Sequence, residues 1–253
     1  MRFVDLTYSE IAARAHDGAL AVVPMGCTEQ QGPHLAVGFD TWFADELTLA
    51  AATAAHDRFD LDTLVLPCMP FGPTPEHRGF GAGYVDLPPK VHDSVLAGIL
   101  ESLADQGFAR VVVWRGCGGH DLAAVIKGFN HRRAGTCRAW LLPETDSPDE
   151  HPFHLIWRAL GDQRDFGGHA DSFTTSIALW RHPDLVREEL TPGPSERPNW
   201  GDHNLDFTTY SKTGVIGDAR YSSAELGSKL WDACVTMLAT TLSAIAVTPV
   251  ASE

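Results

Sequence analysis

The chain is poor in basic residues, lacks any long apolar run and has few cysteines. Its 253 residues include 19 Lys and Arg against 33 Asp and Glu, which gives a formal net charge of −14. A nucleic-acid partner requires clustered Lys and Arg to neutralise phosphates, and the basic residues here are scattered. The charge balance therefore predicts a soluble protein that does not bind nucleic acid.

No apolar run approaches the roughly 20 residues that span a bilayer. The first ten residues, MRFVDLTYSE, lack the long apolar core of a secretory signal peptide. We therefore expect a cytoplasmic protein that makes no membrane contact.

The five cysteines form an odd set without CxxC spacing, which argues against a disulfide framework and against a zinc ribbon. Most of them are expected to be buried as small apolar side chains. Cys27 and Cys117 differ, because they lie in loops rich in polar and glycine residues.

Apolar runs and helix-like segments alternate through the first half of the chain. The runs ALAVVPM, TLVLPCMP, RVVVW and TCRAWLLP are typical of buried strands, and Ala- and Leu-rich segments of helical periodicity separate them. Before the first run, Thr7 and Glu10 have capping-box spacing, which predicts a helix to about His16. This pattern predicts an α/β domain with a mainly parallel sheet covered by helices on both faces. We expect one domain over residues 1–253, with its last few residues disordered.

Ligands of an open parallel sheet bind beyond the carboxyl ends of its strands, where the strand-to-helix loops converge. This rule selects residues 27–40, 74–83 and 115–121, and a later loop has a similar composition. Their candidate donors are carboxylates, imidazoles and a thiol: Glu29, His34, Asp40, Glu76, His77, Cys117, His120, Asp121, His169 and Asp171.

Such a mixture of oxygen, nitrogen and sulfur donors predicts a divalent-metal site and suits zinc. Chance alone also places some donors in loops, since the chain has 12 His and 33 acidic residues. Asp40 could equally cap the helix that follows it. The segment RGCGGHD could be a glycine turn or an anion-binding helix N-terminus.

The segment GCTEQQGPHLAVGFD resembles the signature of the creatininase family, Gly-Ser-x-Glu-Gln-His-Gly-Pro-His-Leu-Pro-Leu-x-x-Asp. Further along, PEHRGFGAG resembles the family's Glu-His-x-x-Phe-Pro-Gly-Thr, RGCGGHD its Asn-Gly-His-Gly-Gly-Asn and GGHADSFTTS its His-Ala-Gly-x-x-Glu-Thr-Ser. The resemblance implies a three-layer α/β/α sandwich and a homohexamer. It also implies hydrolysis of C–N amide bonds by two divalent metals that an Asp bridges.

Carried over by position, the family's first Glu is Glu29 and its bridging Asp is Asp40. Three ligand positions differ, because Gln31 replaces a His, Cys117 replaces the His of Asn-Gly-His, and Thr174 replaces the Glu of Glu-Thr-Ser. A thiolate is a sound zinc ligand, so the resemblance implies one divalent metal, zinc or manganese, on the remaining acids and the thiol. The second metal would lose both of its own ligands, and we expect that position to be empty; a chain without any metal is the alternative.

His169 matches the family's proton-transferring His, and a buried His bonded to a backbone carbonyl is the alternative. His120 replaces the second Asn of its loop and is a second candidate catalytic imidazole; His120, His169 or Asp171 could also complete a rearranged metal site. Cys117 has three possible roles: ligand, inert thiol, or nucleophile with a neighbouring His as its base and a helix N-terminus favouring the thiolate.

The expected substrate contacts lie on the walls of the same crevice. Glu76 and His77 match a motif near the family's substrate pocket, although a solvated loop is the alternative. The remaining predicted contacts stand at altered family positions: Gln31, Asp171 and Thr174.

These observations leave three functions open. The first is a one-metal amidohydrolase acting on a small, biosynthetic metabolite or peptide. The second is the same fold adapted to cyclisation, dehydration or thiol-dependent transfer without a metal. The third is a non-catalytic subunit that binds a metabolite or an intact relative.

Overall fold

The structure is a computed structural model that describes residues 1–143, 151–160, 166–200, 202 and 204–250. The disorder predicted for the last few residues falls largely on 251–253, outside the described residues. Within the described ranges, no helix is both long and apolar enough to cross a membrane.

Four parallel strands form the central sheet in the order β2-β1-β3-β4. They are β1 (Leu20–Met25), β2 (Thr63–Val65), β3 (Arg110–Arg115) and β4 (Arg138–Leu142). Val and Leu dominate these strands, as expected for parallel strands that are covered on both faces. The second strand was predicted to run to residue 70, but its regular pairing ends at Val65. Pro67 follows closely, and proline cannot donate to a strand ladder.

Helices flank the strands in the predicted alternation, which confirms the α/β class. Within the described residues they are α1 (Tyr8–His16), α2 (Phe39–Phe59), α3 (Pro89–Asp105), α4 (Ala123–Arg132), α5 (Pro152–Leu160), α6 (Ser172–Arg181) and α7 (Ala224–Ala246).

The N-terminal caps of α1 and α2 show which of the two caps considered from the sequence is present. The predicted capping box is present, because the Thr7 hydroxyl accepts from Glu10 N and the Glu10 carboxylate accepts from Thr7 N. The alternative that Asp40 caps its helix was wrong. Gly38 is the N-cap of α2, and Asp40 lies inside the first helical turn. Its carboxylate is therefore not used as a cap.

Two apolar clusters cover the two faces of the sheet. Val22 and Val112 belong to the cluster that contains residues of α2, α6 and α7. Their neighbours Val23 and Val113 belong to the other cluster, which contains residues of α1, α3 and α4. Successive strand side chains point to opposite faces, so each strand contributes to both clusters. The result is a sheet between two helical layers.

Helix α7 packs closely against α6 through a glycine. A Cβ added to Gly227 would lie 1.9 Å from the Ser176 carbonyl oxygen. We expect Gly227→Ala to lower the free energy of unfolding by about 1–3 kcal/mol, because the two helices must move apart. Gly98→Ala is the matched control, since Gly98 lies in α3 with open space at its Cβ. That control should gain about 0.5–1 kcal/mol. Urea unfolding measures both, and equal midpoints for Gly227→Ala and the parent protein would contradict the prediction.

Candidate metal and catalytic site

The loops that follow β1, β2 and β3 meet at one edge of the sheet. Gly26 N donates to Met69 O at 2.9 Å, and Gly116 N donates to Met25 O at 2.7 Å. A Cβ on Gly116 would lie 2.8 Å from Ala44 Cβ, so only glycine permits this approach to α2. These contacts bring the polar residues of three loops into one cluster.

Glu29 lies at the centre of this cluster, with each carboxylate oxygen facing a different kind of donor. Its Oε2 lies 3.0 Å from the Cys27 sulfur and 3.4 Å from the Cys117 sulfur. Its Oε1 lies 3.4 Å from His77 Nε2 and 3.4 Å from His169 Nδ1. Burial raises the pKa of Glu29, but His77 and His169 outweigh burial and hold the pKa below its usual range. We call the Oε2 side of Glu29, with Cys27 and Cys117, the thiol side, and the Oε1 side, with His77 and His169, the imidazole side.

Asp40 extends the thiol side. Its Oδ2 lies 3.2 Å from the Cys27 sulfur and accepts a hydrogen bond from Gln31 Nε2 at 2.8 Å. Burial and the charge of Glu29 raise the pKa of Asp40 well above its ordinary value. Gln31, predicted as a substrate contact, donates to this predicted metal ligand. Two acids and two thiols thus share one small volume.

The two thiols are stable in their protonated form in this arrangement. Burial raises the pKa of Cys27 well above its ordinary value. The contact with Cys27 lowers the pKa of Cys117, but burial and the nearby carboxylates raise it to about 12. Helix α4 begins only at Ala123, several residues after Cys117, so its N-terminus does not start at the thiol. A free nucleophilic thiolate is therefore disfavoured, whereas a bound metal would displace the thiol protons.

The imidazole side consists of His77 and His169, whose ring centroids lie 4.9 Å apart. Burial lowers the pKa of His77, but Glu29 and Glu76 outweigh it and raise the pKa above its ordinary value. Burial and His77 lower the pKa of His169 to about 4. One imidazole of the pair therefore carries a proton readily and the other does not.

Gln30, which the sequence motifs did not single out, holds this pair in place. Its Nε2 lies 2.9 Å from His77 Nδ1, and its carbonyl oxygen lies 2.8 Å from His169 Nε2. His169 thus makes the backbone-carbonyl contact that was its alternative interpretation, and it also lies 3.4 Å from the Glu29 carboxylate. The Phe207 ring packs edge-on against both imidazoles, at 4.9 and 5.2 Å between centroids.

His120 is buried beside the thiols, and neither of its ring nitrogens has a hydrogen-bond partner among the described residues. His92 lies behind it, with 4.6 Å between the ring centroids. Burial and His92 lower the pKa of His120 to about 3. One nitrogen of the neutral imidazole lies within 4.8 Å of the Cys27 and Cys117 sulfurs, so the three atoms are placed to bind one metal ion.

Glu76 and His77 belong to an ordered 3-10 helix, Pro75–Phe80, and not to a solvated loop. The Glu76 side chain is 12% exposed and its Oε1 lies 3.7 Å from His77 Nε2. Burial raises the pKa of Glu76. Glu76 therefore lies at the rim of the cluster, and His77 lies inside it.

Asp171 and Thr174 occupy a structural position at the start of α6. Asp171 caps the helix through bonds from Phe173 N and Thr174 N. Its other oxygen accepts from Gly167 N and Gly168 N. Both carboxylate oxygens are thus occupied by backbone donors, and the substrate contacts predicted for Asp171 and Thr174 stay predictions.

Two of the candidate donors predicted from the strand-end loops, His34 and Asp121, lie outside the cluster. His34 is buried, with its Nε2 2.8 Å from the Thr175 hydroxyl. Asp121 is exposed and accepts from Ala123 N at 3.3 Å. A strand-end loop places a residue near the site, but its side chain can still point elsewhere.

Three groups of described side chains are placed to hold a metal ion, with the ligand atoms in each group within 4.8 Å of one another. They are Cys27, Cys117 and His120; Cys27, Glu29 and Asp40; and Glu29, His77 and His169. The predicted ligands Glu29, Asp40 and Cys117 are therefore brought together, with Cys27 between them. The unpartnered His120 nitrogens and the mixed sulfur, oxygen and nitrogen donors fit a divalent metal.

The family model described as Creatininase: Creatinine amidohydrolase matches residues 4–242. The chain belongs to the creatininase family. This membership confirms the resemblance of its loop motifs and places it among amidohydrolases. Solved creatininase structures share the fold. One described as creatinine amidohydrolase (creatininase) superposes with a TM-score of 0.79 at 20% identity, over 98% of this chain and 98% of that chain.

Curated relatives of this creatininase-family chain include peptidases. The mycofactocin precursor peptide peptidase of Mycolicibacterium smegmatis is 26% identical over 220 residues, 84% of this chain and 79% of the relative. That of Mycobacterium tuberculosis (strain H37Rv) is 26% identical over 226 residues, 85% of this chain and 80% of the relative. A structure described as Creatininase Mn superposes with a TM-score of 0.79 at 21% identity, over 95% of this chain and 96% of that chain.

Proposed function

We propose that this creatininase-family protein hydrolyses a C–N amide bond in a small biosynthetic metabolite or short peptide, using one divalent metal held by Glu29, Asp40 and Cys117. The observation that carries the proposal is the position of Glu29, which contacts thiols through one oxygen and imidazoles through the other. We assign metal binding and proton transfer to opposite sides of this one carboxylate. The homohexamer and the cytoplasmic location stay predictions.

The acids and thiols supply what a divalent metal needs. When bound, the metal supplies Lewis acidity, which polarises a carbonyl and makes water a better nucleophile. Cys27 adds a second sulfur 3.2 Å from Asp40, which supports including it in the same ligand set. Gln31 holds the Asp40 carboxylate through its amide N–H.

The imidazoles supply the proton transfer. Amide hydrolysis needs a proton delivered to the leaving nitrogen, and a general acid or base contributes about 10²–10⁴-fold. His169 Nδ1 faces Glu29 Oε1, and its Nε2 faces the Gln30 carbonyl. These two contacts hold the ring in one orientation. His77, 4.9 Å away between centroids, provides a second imidazole to share the proton.

The surroundings of the imidazoles favour a peptide or another extended amide as the substrate class. Residues 81–83, directly after the 3-10 helix of Glu76 and His77, are two glycines and an alanine, all exposed, and Gly83 lies against Gln30. This stretch beside the imidazoles therefore carries no bulky side chain. Trp200 is 41% exposed and lies 5.7 Å from Phe207 between ring centroids, and Phe207 packs on His169. An exposed aromatic side chain suits an apolar substrate side chain, and two of the relatives are peptidases by name.

The test uses metal-free protein, zinc-loaded protein and a panel of short synthetic peptides and cyclic amides. We expect zinc-dependent release of an amine, with one oxygen from 18O-labelled water in the new carboxylate. A chelator should stop turnover and added zinc should restore it. Turnover that continues unchanged in metal-free protein, or a product without labelled oxygen, would contradict the proposal.

His169→Asn tests the proton-transfer assignment. We expect kcat to fall about 10²–10⁴-fold, because the variant keeps a polar side chain but loses a titratable one. Zinc content should stay unchanged, since His169 lies on the imidazole side of Glu29. His16→Asn is the control, because His16 is 89% exposed at the end of α1. A His169→Asn variant with parental kcat would remove His169 from the mechanism.

A further inference from the structure

We propose that Cys27, Cys117 and His120 form a thiolate–imidazole ligand set that makes this site selective for zinc. The inference rests on the proposed function only for the presence of a metal. It adds two ligands that the family resemblance does not supply, because Cys27 stands where the signature has Ser and His120 where it has Asn. It also assigns the metal, which the family resemblance leaves as zinc or manganese.

The first observation is the proximity of the three side chains. Their ligand atoms all lie within 4.8 Å of one another, and all three residues are buried. Both sulfurs also contact the same oxygen of Glu29, at 3.0 and 3.4 Å. The set therefore shares Cys117, and the contact of both sulfurs with Glu29, with the ligands named in the proposed function.

The second observation is the unsatisfied imidazole of His120. A buried polar group without a partner costs about 1–3 kcal/mol, so such groups are rare unless something satisfies them. Both His120 ring nitrogens lack a hydrogen-bond partner among the described residues. A metal bound by the adjacent thiols would satisfy one of these nitrogens, and neutral imidazole is the form that binds metals.

The third observation is that the neighbouring backbone makes room for this ring. A Cβ on Gly72 would lie only 2.0 Å from His120 Nε2, so a larger residue there would displace the imidazole. Leu87 N donates to Gly72 O at 3.0 Å, which holds the glycine in position. His92 packs against the opposite side, 4.6 Å away between centroids. The ring is therefore confined next to the thiols.

The donor types decide the metal. Thiolates and imidazoles suit zinc, whereas manganese prefers carboxylate, carbonyl and water oxygens. A site built on Glu29 and Asp40 alone would accept manganese. The addition of two sulfurs and an imidazole shifts the preference to zinc.

The main test uses the full-length wild-type protein and reads the metal, not the activity. Metal-free protein is titrated with zinc and with manganese, and zinc K-edge absorption is recorded on the loaded protein. We expect one tightly bound zinc per chain, manganese at least about 100-fold weaker, and sulfur scatterers at about 2.3 Å. Only oxygen and nitrogen scatterers, or manganese bound as tightly as zinc, would overturn the inference.

Variants identify the individual ligands. Cys27→Ser and His120→Gln should each weaken zinc binding at least about 10-fold, and Cys68→Ser is the matched thiol control outside the ligand groups. Gly72→Ala should weaken zinc binding without replacing any ligand residue, because the added Cβ would displace the His120 imidazole. Circular dichroism and urea unfolding show whether each variant is folded. The zinc K-edge spectrum of the wild-type protein tests the inference even if a variant does not fold. Parental zinc affinity in folded Cys27→Ser and His120→Gln would overturn the inference.

The outcomes separate this inference from the proposed function. Zinc bound through sulfur in a protein that hydrolyses no amide would leave the inference standing and remove the function. Amide hydrolysis by a manganese-loaded protein, with no sulfur scatterers in the zinc form, would leave the function standing and overturn the inference.

Discussion

Glu29→Gln lowers kcat/KM for amide hydrolysis by about 10³-fold and removes tight zinc binding: this is the largest effect on activity that we expect. The substitution keeps the shape of the side chain and removes its charge. Lewis-acid catalysis contributes several kcal/mol of charge stabilisation, and each 1.4 kcal/mol corresponds to a factor of ten in rate. Losing the ligand and the imidazole partner together therefore costs several factors of ten.

The large effect follows from the contacts of this one carboxylate. Cys27 and Cys117 lie against Oε2, whereas His77 and His169 lie against Oε1. A Gln amide offers one oxygen and one NH2 group, so it can satisfy one side only. The NH2 group would also place a donor against thiols or imidazoles that now face an acceptor.

Steady-state kinetics and zinc content on the purified variant measure the effect. Glu101→Gln is the control, because Glu101 pairs with Arg133 at 2.6 Å on the surface. That change should leave both activity and zinc content unaltered. A Glu29→Gln protein that keeps more than a tenth of the parental kcat/KM would show that Glu29 has no central role.

Asp171→Ala should have the largest effect on stability, lowering the free energy of unfolding by about 3 kcal/mol or more. Each Asp171 oxygen accepts from two backbone N–H groups. The variant leaves four donors without their acceptor and removes the N-cap of α6. Ala170, in the same turn, has a φ of 52°, a conformation that alanine rarely adopts without support. The turn that carries His169 therefore depends on this carboxylate.

Urea or thermal unfolding measures the loss. Ser223→Ala is the matched control, because Ser223 caps α7 through a single exposed bond to Leu226 N at 3.1 Å. The Ser223 cap contributes about 1 kcal/mol to stability.

Asp171→Asn distinguishes the capping role of Asp171 from its predicted substrate contact. A raised KM with unchanged stability would favour substrate binding, whereas lost stability with an unchanged KM in the folded protein supports the cap.

Most of the fold follows from local patterns in the sequence. Apolar runs of strand length produced β1, β3 and β4, since buried parallel strands require Val and Leu on both faces. The Thr7 and Glu10 capping box set the start of α1, because both of its hydrogen bonds are local. The second strand was predicted too long, because the apolar run continues past Pro67 while strand pairing does not.

The site was partly predictable. The rule that parallel strands place their loops at one edge selected Glu29, Asp40 and Cys117, and the structure brings these three together. The same rule selected His34 and Asp121, whose side chains bond to the Thr175 hydroxyl and to the nearby Ala123 N, outside the cluster. Loop position predicts proximity of backbones, and side-chain direction needs the packing around each residue.

The sequence by itself determined the fold class, the family and the position of two acids after the first strand, because strand patterns and loop motifs are local. Only the tertiary structure decided what surrounds Glu29. Cys27 and Cys117 are distant in sequence, as are His77 and His169, and four separate loops must pack before they all meet Glu29. The same packing closes Gly72 onto His120 and leaves its imidazole without a partner beside two thiols. Apart from the contact of Cys27 with Glu29, these contacts join separate segments, so no spacing within a single segment records them.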